Sequence, residues 1–336
     1  MRFIGYLLLF GLLAVLLVAA AGFYQAREFL QTPLNLPAEG RVVNIPPGAS
    51  LRSIGRDLEA QGLLSSELML YAFARLNQRA NRIQAGEFLL PQGTRPEGLL
   101  DILEKGSPVQ YQLALIEGWN FQQVLAAVRA DPVLEQTLQG LDAAQIMQRL
   151  GRPGEHPEGR FFPDTYSFSR GASDLEFLRR SYQRMSQELE RLWPQRSADV
   201  PLKEPYEALI LASIIEKETG AAEERPEIAG VFSRRLNKGM RLQTDPTVIY
   251  GMGAAYDGNI RRQDLKTDTP YNTYTRSGLP PTPICMPGQA ALEAALNPKP
   301  GDSLYFVARG DGSGTHVFSS NLKDHNKAVR EHQLKK

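Results

Sequence analysis

Cysteine is almost missing from this chain. Cys285 is the only one in 336 residues, which excludes an intrachain disulfide and a thiolate metal cluster. A lone cysteine is compatible with export to an oxidising compartment. Histidine is also scarce: His156, His316, His325 and His332 are scattered without ligand spacing, so no metal is expected. Charge of one sign is lacking. Thirty-eight Lys and Arg against 37 Asp and Glu leave a formal +1, too small a basic excess for a phosphate-backbone partner, and no nucleic acid is expected. The chain carries no HExxH, GxSxG or Walker pattern, and "YGMGAAY" is not followed by a dinucleotide-type unit, so no cofactor is expected. Internal repeats and low-complexity stretches are absent as well.

Long hydrophobic runs are lacking except at the N-terminus, where residues 4–24 read "IGYLLLFGLLAVLLVAAAGFY" without a charge. Twenty-one helical residues at about 1.5 Å each span roughly 30 Å, the thickness of a bilayer core. Small residues in "VAAAG" would suit a cleaved signal peptide, but the run exceeds the usual signal h-region, so an uncleaved single-pass anchor in the lipid bilayer is expected. Arg2 favours a cytoplasmic N-terminus, with the rest of the chain exported.

Past this anchor (1–24), "QAREFLQTPLNLPAEG" has two prolines and no sustained period. Residues 25–40 therefore read as a tether. Residues 41–108 read as strand, helix, helix, strand, helix. Ser50 is the expected N-cap of a helix with Leu51, Ile54 and Leu58 on one face and Gly62 closing it. This unit resembles a LysM-like module in Ile45-Pro46-Pro47-Gly48, "IGRDLEAQGLL" and "QAGEFLLPQG". The resemblance implies binding of an N-acetyl-hexosamine backbone, although a small α+β domain that only positions its neighbour fits the pattern equally. Residues 109–336 read as a second, mixed α+β domain, with "ARGDGSGTH" as a hairpin turn. The expected fold class is α+β throughout the exported part.

The chemistry-bearing stretch is "LASIIEKETG", residues 211–220. On a helix over 206–219, Glu216 and Glu218 point to different faces, because two residues turn about 200°. Glu218 continues the bulky stripe Leu211, Ile214, Ile215, whereas Glu216 continues Leu209, Ala212, Ser213. Desolvation on the bulky face and the negative helix end both raise a carboxyl pKa, which suits a general acid. A solvated helix end explains the same residues, and the helix alone leaves both readings open. The loops that follow are dense in amides, hydroxyls and tyrosines, among them Gln243, Asp245, Tyr250, Asn272 and Tyr274. Such sets bind sugars through hydrogen bonds and aromatic faces, and also build turns.

The run "SIIEKETG…EERPEIAGVFSRRLNKGMRLQTDPTVIYG…TPYNTYTRSGLPPTPI…PG…AALNP" resembles the YceG/MltG family of endolytic murein transglycosylases. "EGRFFPDTY" and the closing "YFVARGDGSGTHVFSSNLKDHNKAV" extend the likeness over nearly the whole chain, with the motif region at 206–300. Arg234, Thr282 and Met286 depart from the family's usual residues. The resemblance implies an inner-membrane anchor, a periplasmic catalytic region and peptidoglycan glycan strands as substrate, with peptidoglycan synthases working alongside. It makes Glu218 the catalytic acid. Glu218 would protonate the oxygen between MurNAc and GlcNAc and then accept the proton of the MurNAc C6 hydroxyl, leaving a 1,6-anhydro end and limiting strand length. Glu224 and Asp245 are candidates to support the acid or the developing positive charge, and Glu216 is a neighbour beside the site. Gln243, Tyr250, Asn272 and Tyr274 are candidate sugar contacts. A hydrolytic muramidase of the same fold, or a non-catalytic peptidoglycan-binding scaffold, remain the alternatives.

Overall fold

The computed structural model describes residues 2–333. Its backbone is mixed: thirteen α-helices among the described residues and three small two-stranded sheets, an α+β arrangement. The chain divides into two compact units, Met1–Tyr111 with Phe168–Gly171, and Gln112–Ser167 with Ala172–Lys336.

The first unit begins with α1 (Arg2–Gln31). Its segment Leu9–Gln31 is long and apolar enough to cross a membrane, with a mean hydropathy of 2.0. Residues 9–24 are exposed all along it, so this is no core helix of a soluble domain. An exposed apolar helix at this place suggests a membrane anchor or a signal.

The stretch expected to be a tether differs. The helix continues to Gln31, and Phe29, Leu34 and Leu36 are buried in the core of the first unit. Prolines and a missing period do not prevent a segment from burying single large side chains. The rest of this unit follows the expected order: β1 (Arg41–Ile45), α2 (Leu51–Ala60), α3 (Glu67–Leu76), β2 (Gly86–Leu90) and α4 (Pro96–Lys105). Ser50 caps α2, its hydroxyl accepting from the Ser53 amide at 3.1 Å, and Gly62 takes φ +70° just past the helix end. β1 and β2 pair antiparallel with Val43 opposite Phe88. Phe88, Leu99, Leu100 and Leu103 are fully buried beneath the sheet and α4.

The next elements are β3 (Tyr111–Ala114), α5 (Phe121–Ala130), α6 (Ala143–Arg149), β4 (Thr165–Phe168) and α7 (Asp174–Leu192), with β3 paired to β4. Helices α5, α6 and α7 each start with a reciprocal capping box, Asn120/Gln123, Asp142/Gln145 and Ser173/Glu176.

The centre of the second unit is α8 (Pro205–Glu218). It packs on α7, α9 (Arg225–Asn237), α10 (Asp245–Met252) and, most extensively, α12 (Gln289–Leu296). Every residue from Ala208 to Ile215 is buried. Over this run the helix therefore has no single bulky buried stripe of the kind expected; it is buried on every side, with Ser213 as the one polar side chain, its hydroxyl donating to the Ile210 carbonyl and accepting from the Ile284 amide. The helix stops at Glu218, one residue short of the expected 219: Thr219 is extended at φ −145°, and its hydroxyl accepts from the Ala221 amide at 2.9 Å. The short α11 (Arg262–Lys266) lies in the polar loops after α10. The chain closes with an antiparallel hairpin of β5 (Tyr305–Ala308) and β6 (His316–Ser319), followed by α13 (Leu322–His332).

Gly159 locks the "EGRFFP" loop against this core. It has φ +77°, and a Cβ built there would lie 2.6 Å from Pro283 ring carbons. Gly154 has a similar φ, +82°, with open space around it. Gly159→Ala is expected to cost about 3 kcal/mol, left-handed strain plus overpacking, and Gly154→Ala about 1 kcal/mol, the strain alone. Urea midpoints of the two variants check this; equal losses would show that the Pro283 contact does not restrain the loop.

Candidate active site

Because α8 is enclosed, its last turn is held in place, and the two glutamates leave it in different directions. Glu216 is tied into structure. Its Oε2 accepts from the Gly288 amide at 3.0 Å, and Arg225 Nη2 stands 3.5 Å from Oε1. Burial raises its pKa, helped by the charge of Glu117.

Glu218 instead opens on a cavity of about 540 Å³ within the second unit. One wall is formed by Glu218, Gln243, Thr244, Asp245 and Tyr274; the other comes from β5, His316 and α13. Burial pushes the Glu218 carboxyl up to about 7. The Asp245 charge pushes the same way, whereas a hydrogen bond from the Thr244 hydroxyl and the Arg235 charge oppose it. A carboxyl that titrates near neutrality beside an open cavity can both give and take a proton.

The Thr244 hydroxyl is itself positioned by a buried network. The Thr244 amide donates to Thr273 Oγ1 at 3.0 Å, and Thr247 Oγ1 donates to the Thr244 carbonyl at 2.8 Å. The Thr247 and Thr273 hydroxyls lie 2.9 Å apart. Just before it, Gln243 adopts φ +52°, one of two non-glycine residues with positive φ among those described. Such strain persists only where the surroundings over-determine it, and here the Gln243 amide donates to the Thr273 carbonyl at 3.2 Å. Tyr274 donates its hydroxyl to Asp245 Oδ1 at 2.6 Å.

Of the residues named from sequence, the structure thus gathers Glu218, Gln243, Asp245 and Tyr274 around one cavity. Asn272 is not among its lining. It is 1% exposed, its amide donates to the carbonyls of Asp264, Leu265 and Thr267, and its Oδ1 accepts from the Tyr274 amide. It shapes the loop that presents Tyr274. Tyr250 also lies away from the lining and donates to Glu158 Oε2 at 2.9 Å. Glu224 has both oxygens on His316, at 2.8 Å from its amide and 2.7 Å from Nδ1, and makes no hydrogen bond to Glu218.

Sequence reasoning missed Arg235, the orienting role of Thr244, and the entire β5–α13 wall. Arg235 is buried, donates to the carbonyls of Leu242 and Leu304 at 2.8 and 2.6 Å, and sits over the Tyr305 ring. His325 stacks on Tyr305 at 5.2 Å, and its Nδ1 is buried without a hydrogen-bond partner. Glu158 was also missed. It is 3% exposed, accepts from the Phe121 amide at 2.9 Å, and is raised by burial to about 7. Cys285 is fully buried, and burial raises its thiol, so it is not poised as a nucleophile.

A comparison with protein families matches residues 43–331 to the YceG-like family. An endolytic murein transglycosylase of Bacillus subtilis (strain 168) is 30% identical over 94% of this chain and 91% of that protein. One from Streptococcus pneumoniae serotype 2 is 28% identical over 94% of this chain, which spans 63% of the streptococcal protein. The crystal structure of a YceG-like protein from Listeria monocytogenes superposes with a TM-score of 0.52 at 29% identity, covering 87% of this chain and 99% of that one.

The raised carboxyls have a consequence for stability. In the folded chain Glu218 and Glu158 keep their protons up to about pH 7, whereas unfolded glutamates release theirs near pH 4.3. The folded state therefore binds more protons between these values, and stability falls as pH rises through that window, levelling off above it. Glu218→Gln and Glu158→Gln should each flatten this fall. Urea unfolding at pH 5 and pH 8 measures it; a slope unchanged in both variants would contradict the assignment.

Proposed function

The chain belongs to the YceG-like family, and we propose that it is an endolytic murein transglycosylase with Glu218 as its single acid and base. The observation that carries this reading is a carboxyl raised by burial to about 7 on the wall of a cavity large enough for sugar rings. Glu218 in its acid form protonates the glycosidic oxygen between MurNAc and GlcNAc, and the bond to C1 breaks. The MurNAc C6 hydroxyl bonds to C1, and its proton passes to the Glu218 carboxylate. The enzyme ends as it began, no water is consumed, and the new end is 1,6-anhydro-MurNAc. Cleavage within nascent strands limits their length.

The neighbours support each half of this cycle. Asp245 keeps Glu218 protonated before the reaction, and its negative charge favours the positive charge that grows at C1. Tyr274 fixes Asp245, and Thr244 fixes Glu218. The Thr244 hydrogen bond favours the ionised form, so it keeps the pKa from climbing beyond use. Gln243 and Tyr274 contact the sugar, with Tyr274 offering a ring face.

In this reading α1 anchors the chain in the inner membrane with its N-terminus in the cytoplasm. Both units then lie on the periplasmic side, where the strands are made and the synthases work. The strand–helix–helix–strand–helix order of the first unit suits a LysM-like module holding the strand.

Mass spectrometry of glycan strands digested by the full-length chain in detergent tests the reaction. Anhydro ends, lighter than reducing ends by about 18 Da, the mass of the water that a hydrolase adds, are expected. Reducing ends alone would make the enzyme a muramidase. Glu218→Gln should lower the rate by roughly 10³-fold, the scale of a lost general acid, and strand turnover that survives it would point to a scaffold. Because the acid form is the reactive one, the wild-type rate should fall as pH rises through about 7. Thr244→Val removes a bond that favours the carboxylate, so that alkaline fall should move to higher pH.

A further inference from the structure

The reaction as derived uses only one wall of the cavity, and the facing wall holds a second ordered proton-bearing group. His316, at the start of β6, lines the same cavity as Glu218. Glu224, in the short turn between α8 and α9, grips it twice: Oε1 accepts from the His316 amide at 2.8 Å, and Oε2 lies 2.7 Å from Nδ1. A carboxylate can only accept. Nδ1 must therefore carry the hydrogen, and in the neutral ring Nε2 is left with a free lone pair. Nε2 makes no hydrogen bond among the described residues, and it is not among their buried unpartnered atoms. Phe306 packs edge-on against the ring at 5.3 Å and 89°, restricting its rotation. The second bond fixes the tautomer and so leaves Nε2 as the acceptor of the ring.

We propose that His316 is a substrate-contacting residue. Its Nε2 accepts a hydrogen bond from a hydroxyl of the sugar whose glycosidic oxygen faces Glu218, and Glu224 acts through it as a positioning residue. A neutral acceptor suits this wall: it orients a polar ring without adding a cation where positive charge develops at C1. Arg235 already supplies one cation to the same cavity. This inference rests on the transglycosylase reading above.

Glu224→Gln tests it. The glutamine carbonyl still accepts from the His316 amide, and its NH₂ donates to Nδ1. Both bonds survive, but the hydrogen moves to Nε2 and the acceptor in the cavity becomes a donor. With ¹⁵N-labelled histidine in the full-length chain, the neutral tautomer is expected to switch from Nδ1–H to Nε2–H. The melting temperature should hold, and KM for isolated glycan strands should rise roughly ten- to a hundredfold, the size of one lost buried hydrogen bond, with kcat much less affected. His316→Asn keeps an N–H for Glu224 and removes Nε2; it should raise KM alike, and it decides the matter if Glu224→Gln melts early. Wild-type kinetics in a folded His316→Asn, or in Glu224→Gln with a switched tautomer, would overturn the proposal while leaving the transglycosylase reading standing. Strands left uncleaved by wild type and Glu218→Gln alike would overturn the reading, and this inference with it.

Discussion

Desolvation of the Glu218 carboxyl is the interaction on which the rest of the second unit turns. A carboxyl in water is ionised at neutral pH and useless as an acid; one that is fully buried stays protonated and never becomes a base. The structure holds Glu218 between these limits. Eight helical residues before it, Ala208 to Ile215, are enclosed at 0% exposure or close to it, so the helix cannot tilt the carboxyl out into water. Thr244 then offsets part of the cost of burial, and its hydroxyl is aimed by a threonine network that reaches Thr247 and Thr273.

Glu158 shows why a perturbed carboxyl is not by itself a site. Burial raises it to about the same value as Glu218. Its oxygens are spoken for, one by the first amide of α5 and the other by the Tyr250 hydroxyl. It lines no part of the cavity that Glu218 shares with Asp245 and Tyr274. The same electrostatic cause acts in two settings, on a carboxyl that joins elements in one place and on a carboxyl that lines a cavity in the other. Geometry separates them where titration does not.

What could be read in the sequence follows from how far apart the interacting residues lie. The separation of Glu216 and Glu218 onto different faces is set by helix pitch, a local property, and the structure sends one to Gly288 and the other to the cavity. A cap such as Ser50 is local too, and it sits where the side-chain pattern places it. Asn272 was misplaced because an amide bonds loop carbonyls as readily as sugar hydroxyls, and composition does not say which. The spacing of His316 and His325 suits no metal and gives no other sign of a site. Their shared place on a cavity wall is made by a hairpin and a helix folding toward α8, and no spacing rule encodes that. The buried Leu34 and Leu36 were lost for a related reason, since two isolated side chains entering a core make no period.

The continuity of α1 has a mechanical consequence. Its helix runs without a break from the apolar segment at Leu9 to Gln31, and Phe29 is already embedded in the core of the first unit. No hinge separates the two. A bilayer gripping the apolar stretch would therefore transmit tilt and axial rotation to the first unit directly, as a shaft does to a keyed wheel. Insertion of a single residue near residue 26 would turn that shaft by about 100°.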